Sequence, residues 1–133
     1  MIRYATAFAG DPASVYRQVD LTSRTGGADQ HQLVELLYEE GARALRTAAW
    51  AAERGDFKVK SERVTRATAI LFALENGLDY DRGGDVSRTL ATLYRGMRAQ
   101  VIDASVGTDP VPFRSVADSL TEIAGAWASV RRH

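Results

Sequence analysis

Two histidines, one adjacent pair of glutamates and the Gly83-Gly84 step are the places where this sequence could hold chemistry. Neither His31 nor His133 has an Asp or Glu at a spacing that would orient an imidazole as a general base. The Glu-x-x-His pairs that hold two metal ions inside helical bundles are missing. Glu39 and Glu40 cannot share a proton as a catalytic pair, because adjacent helix positions point about 100° apart. A solvated helix face explains them better. Gly83-Gly84 is not a phosphate loop, since no strand precedes it and no Lys-Ser/Thr follows; it reads as a helix stop. Cysteine is absent, which excludes disulfides, thiolate metal sites and cysteine nucleophiles. The sequence predicts no enzyme, no metal and no cofactor.

The elements around these residues read as helices. Of 133 residues, 45% are hydrophobic and 26% charged, a composition that can build a core within one domain. Lys and Arg total 17 and so do Asp and Glu, so no bulk field draws the chain to nucleic acid or anionic lipid. No apolar run reaches the roughly 20 residues of a membrane span. Met1 to Phe8 lack the apolar stretch of a signal peptide, so the expected address is the cytoplasm. Residues 1–28 hold Gly10, Pro12, Gly26 and Gly27 without a sustained period and read as an arm. A bundle is expected over 29–130, with 131–133 as a tail. Asp29 offers an N-cap to a first helix running to about Arg54, closed by Gly55-Asp56. The second is expected from Phe57 to Tyr80, stopped by Gly83-Gly84. Asp85 then caps a third that runs to about Val106, and Asp109-Pro110 with Pro112 opens a fourth to about Val130.

Apolar spacing assigns each helix a core face. The first carries Leu33, Val34, Leu37, Tyr38, Gly41, Leu45, Ala48 and Ala52, small enough in places for a neighbour to approach closely. The second carries Val64, Ala67, Ile70, Leu71, Leu74 and Leu78; the third Val86, Leu90, Leu93, Met97, Val101 and Ala104. Phe113, Val116, Leu120, Ile123, Trp127 and Val130 recur along the fourth, and Trp127 is expected to be buried. Three short connections make the fold an all-α, antiparallel up-down four-helix bundle. Leu36 and Trp50, with Arg43 in line between them, miss the first stripe, and Phe72 misses the second. Such residues point to a surface covered by the N-terminal arm, by a second copy of the chain as a homodimer, or by a client. Tyr38 and Tyr94 fall at the margins of their stripes, with hydroxyls expected to reach water or a partner.

A set of short motifs then appears in order: Tyr16-Arg17-Gln18-Val19, Leu33-Val34-Glu35-Leu36-Leu37-Tyr38, and Leu78-Asp79-Tyr80-Asp81-Arg82-Gly83-Gly84-Asp85-Val86. After them come Leu90, Leu93-Tyr94, Met97 and a late Trp127. From Val15 to Val130 this resembles the flagellin export chaperone family, the FliS-type flagellar secretion chaperones. Two departures stand out. Asp29-Gln30 replaces a frequent Ser-Pro, which preserves capping, and Glu39-Glu40-Gly41-Ala42 replaces an Asp-Gly-Ala step, with Glu40 where glycine is common.

The resemblance implies a bundle that binds the disordered C-terminal region of newly made flagellin, prevents premature polymerisation and delivers it to the flagellar type III export apparatus. It also implies export gate components as further partners, and an N-terminal tyrosine segment over part of the client groove. Client contacts are expected at Tyr16, Val19, Leu36, Tyr38, Ile70, Phe72, Leu74, Leu90, Tyr94 and Met97. The alternative is a self-associating helical regulatory or structural module without a flagellin client.

Overall fold

Residues 28–131 are described by a computed structural model, and among them every regular element is a helix. Helix α1 spans Ala28–Arg54, α2 Phe57–Asn76, α3 Tyr80–Ser105 and α4 Val111–Arg131. The short connections reverse the chain each time. Helix α1 packs broadly on α2 and on α4, α2 packs on α3, and α3 meets α4 over a thinner seam. The result is the expected antiparallel four-helix bundle. Tyr16 and Val19 lie outside the described residues, as does nearly all of the expected arm.

Local chemistry sets the ends. Helix α1 closes on Gly55, whose φ of 72° is a left-handed conformation that glycine adopts without a Cβ clash. The Asp56 amide donates to the Ala51 carbonyl and the Gly55 amide to Ala52, which satisfies two carbonyls at the helix end. Asp56 then caps α2 by accepting from the Val59 amide at 3.2 Å. Asp109 accepts from the Val111 amide at 3.0 Å where α4 begins. Helix α1 itself starts at Ala28, one residue before Asp29.

The passage from α2 to α3 departs from expectation. Helix α2 ends at Asn76, and α3 begins at Tyr80 under an Asp79 cap that accepts from the Asp81 and Arg82 amides. Gly83-Gly84 therefore lies one turn inside α3, and Asp85 is paired with Arg88 rather than capping a helix start. Gly84, at φ 51° and ψ −122°, kinks the helix. A Cβ on Gly83 would overlap Ser87 Oγ, which is buried and donates to the Asp79 carbonyl at 2.9 Å. The glycines shape a bend rather than a stop. Leu78 is in the connection, not in α2, yet it is still buried.

The core is the union of the expected stripes, corrected on α3 and toward the end of α4, where the Val130 side chain lies outside the described residues. All eight α1 positions and all six expected for the second helix are buried. Gly41 lets three helices meet: a Cβ there would lie 3.1 Å from Leu120 Cδ1 and 3.3 Å from Ile70 Cγ2. On α3 the face is rotated. Met97 and Val101 are buried, but Val86 and Leu93 are 67% and 40% exposed, and Ser87, Ala91 and Tyr94 are buried instead. On α4, Phe113, Val116 and Leu120 are buried, whereas Ile123 and Trp127 are half-buried. The bundle is held across by ion pairs from Glu75 to Arg95 and Arg98, Arg46 to Asp118, and Arg114 to Glu53. A buried Lys60 donates to the Gly107 carbonyl at 2.8 Å, at the negative end of the α3 dipole.

Candidate interaction surface

The described residues among the expected client contacts fall into two groups. Tyr38, Ile70, Leu74, Tyr94 and Met97 are buried, and Leu36, Phe72 and Leu90 reach the surface. The two tyrosines come from α1 and α3 and meet inside, their hydroxyls 2.6 Å apart. Their hydroxyls thus face each other in the core, not water at a stripe margin. Burial holds the Tyr38 phenol above its ordinary pKa of 10.0, against a smaller opposing effect of the Tyr94 hydrogen bond.

Leu90 is on α3 and Phe72 on its neighbour α2, whereas Leu36 is on α1, which packs on α2 and α4 but not on α3. Arg95 and Arg98 reach Glu75 on α2, each at 2.8 Å, so they mark the side of α3 that faces α2. At 100° per residue, Val86, Leu90 and Leu93 project from the opposite margin of the buried face. Together with Tyr80 and Ile102, α3 carries four of the nine large apolar side chains exposed among the described residues: Tyr80, Val86, Leu93 and Ile102. Phe72 on α2 is 49% exposed and lies under the Arg98 guanidinium, 5.2 Å from its centroid. An apolar edge with arginines to one side can bind an extended or helical segment by burial, with polar contacts setting register.

Val86 and Leu93 were not expected here. Their spacing with Met97 made them core, because the competing face uses Ser87 and Ala91, which carry almost no hydrophobic signal. Exposed Tyr80 and Ile102 were also missed, and the sequence marks neither as surface.

At the end of the bundle where α1 begins, His31 stacks on Trp127 with centroids 4.2 Å apart. The Trp127 indole donates to the His31 carbonyl at 2.8 Å, and His31 Nε2 donates to the Trp127 carbonyl at 2.7 Å. A carbonyl only accepts, so Nε2 carries the proton. The edge of the same indole meets the Tyr38 ring. His31 is a structural clasp between α1 and α4. Glu40, half-buried, binds Arg43 at 2.9 Å and reaches Arg66 of α2 at 3.9 Å. It is a bridge rather than part of a merely solvated face. No group of three or more potential metal ligands occurs among the described residues. No helix among them is long and apolar enough to cross a membrane.

Sequence comparison supplies the family-level context. Residues 12–133 match the profile of a family described as "Flagellar protein FliS". The chain is 33% identical over 116 residues to a flagellar secretion chaperone FliS of Salmonella typhimurium, with 86% of each chain covered. It is 30% identical over 115 residues to a flagellar secretion chaperone FliSB of Pseudomonas aeruginosa, covering 86% of this chain and 91% of the relative. A flagellar secretion chaperone FliS of Vibrio cholerae is also 30% identical over 115 residues, with 86% and 85% covered.

Proposed function

The chain belongs to the FliS family of flagellar proteins, and from that premise we propose that it is an export chaperone for flagellin. In the cytoplasm it holds the disordered C-terminal region of the new subunit, blocks polymerisation and presents the complex to the export gate. The work is binding, not catalysis, and needs no cofactor. The observation that carries the reading is the exposed apolar edge of α3, where Val86, Leu90 and Leu93 stand beside the thin α3–α4 seam. Leu90, Phe72 and Leu36 contact the client with them, while Tyr38, Ile70, Leu74, Tyr94 and Met97 support that surface from beneath.

Burying one leucine-sized side chain contributes about 1.5–3 kcal/mol, so a few such contacts offset the cost of ordering a disordered client. Calorimetry of a flagellin C-terminal peptide against the full chain is the test. A stoichiometric complex is expected, and Leu93→Asp should weaken it about tenfold to a hundredfold without loss of fold. A folded chain that ignores the peptide would favour the self-associating module and end this reading. Tyr16 and Val19 belong to a segment that competes with the client for the same surface. A variant starting at Thr25 should therefore bind about five- to thirtyfold more tightly.

A further inference from the structure

The flank of α3 that faces α2 holds more positive charge than the fold neutralises. Arg95 Nε and Arg98 Nη1 donate to the two oxygens of a single carboxylate, Glu75, each at 2.8 Å. Two guanidinium charges therefore meet one negative charge. Arg95 commits only Nε: its terminal Nη groups make no bond among the described residues, and its side chain is 56% exposed. Arg98 lies over the half-exposed ring of Phe72. The surroundings do not cancel this excess. Thr65, Thr68 and Asn76, on the side of α2 that carries Phe72, are neutral and bond back to their own helix. On α3, Arg88 is paired with Asp85, and Asp103 is exposed two turns beyond Arg95. Asp79 faces the positive end of the α3 dipole, which it caps. Ile102, seven residues on from Arg95, is exposed and continues the flank.

Gly96 links this flank to the apolar edge. Tyr94 points into the core, so Gly96, about 200° further round the helix, points outward. Leu93 is to one side of it and Arg95 to the other. A glycine inside a helix is disfavoured against alanine. Nothing within the described residues requires one here: φ is not positive, and a Cβ would meet no atom within 4 Å. A segment passing close over α3 from outside does require it. We propose that the client crosses α3 at Gly96, leaving the edge of Leu90 and Leu93 to seat an apolar side chain on Phe72 and a carboxylate on Arg95. This rests on the chaperone reading and adds a demand on the client: its segment beyond the crossing carries an acid. A guanidinium holds a carboxylate through parallel N–H bonds, and the Nη donors of Arg95 are available for them. Arg98 keeps Glu75 paired when Arg95 turns to the client. Arg95 is then a specificity-determining residue, and the apolar contacts on both flanks carry the affinity.

The test is titration of a flagellin C-terminal peptide into the full chain and into Arg95→Gln and Gly96→Leu. Arg95→Gln leaves Glu75 paired with Arg98, so the melting temperature should hold to within about 2 °C. Peptide affinity should fall about five- to twentyfold. A peptide with every Asp and Glu replaced by Asn and Gln should lose a similar factor against the parent. Against Arg95→Gln it should lose little more, because both changes remove one contact. Gly96→Leu should keep or raise the melting temperature, since the position is open and leucine is the better helix former. It should weaken the peptide about tenfold by obstructing the crossing. A peptide that senses Leu93→Asp but ignores either Arg95→Gln or Gly96→Leu overturns the proposal and leaves the chaperone reading standing. Losses from Arg95→Gln and from the amide peptide that simply add overturn it too, because arginine and carboxylate would then act apart. A folded parent that does not bind the peptide overturns both.

Discussion

Tyr38 and Tyr94 show what one hydrogen bond inside an apolar bundle implies. Tyr38→Phe leaves the Tyr94 hydroxyl without this partner, and a loss of about 1–2 kcal/mol is expected in denaturant titration. The Tyr38 pKa is raised in the fold, so the neutral phenol is the form that folding favours. Its stabilisation is complete below the unfolded value near 10 and fades as pH rises through the folded value. Melting temperature should thus fall above pH 10 in the parent and fall less steeply in Tyr38→Phe. Trp127 was expected to be buried, and Trp127→Ala by that reading would cost about 3–5 kcal/mol. With the indole half-buried and hydrogen-bonded to His31, about 2–3 kcal/mol is the better expectation, measured the same way. Periodicity put Trp127 on the correct face. It could not show His31, 96 residues away, stacked on its ring at the bundle end.

At the scale of elements, α1 and α4, the start of α2 and the end of α3 were legible to within a residue or two because local chemistry marks them: Gly55-Asp56, Val106-Gly107 and Asp109-Pro110. The α2–α3 passage was not, because two stop signals compete within eight residues. Asp79, with two amides on its carboxylate, prevails over Gly83-Gly84, and the glycines are used for a kink. Gly84→Ala should accordingly cost about 1–2 kcal/mol at its positive φ, read as a lower urea midpoint. Gly83→Ala should disturb the Ser87–Asp79 bond and expose the α3 start to faster amide exchange. The rotated face of α3 has the same origin. A helix with apolar residues on one flank and small ones on the next offers two faces, and only its neighbours choose between them.

For the whole molecule, unequal packing predicts unequal protection. Helix α1 is enclosed by two broad partners and α3 by one. Hydrogen exchange should therefore find α1 amides the slowest and those of residues 84–93 among the fastest within helices. Uniform protection across the four would mean that the thin seam opens no more readily than the rest. The amino-acid sequence by itself determined the helical class, the four-element order, the faces of α1, α2 and α4, and the family motifs. All of these depend on spacing and on end signals a few residues long. Tertiary structure alone decided which flank of α3 is buried, that the two tyrosines bond to each other, and that Val86 and Leu93 are left at the surface. Those outcomes depend on contacts between residues tens of positions apart. An apolar side chain is written identically whether a neighbouring helix covers it or stops short.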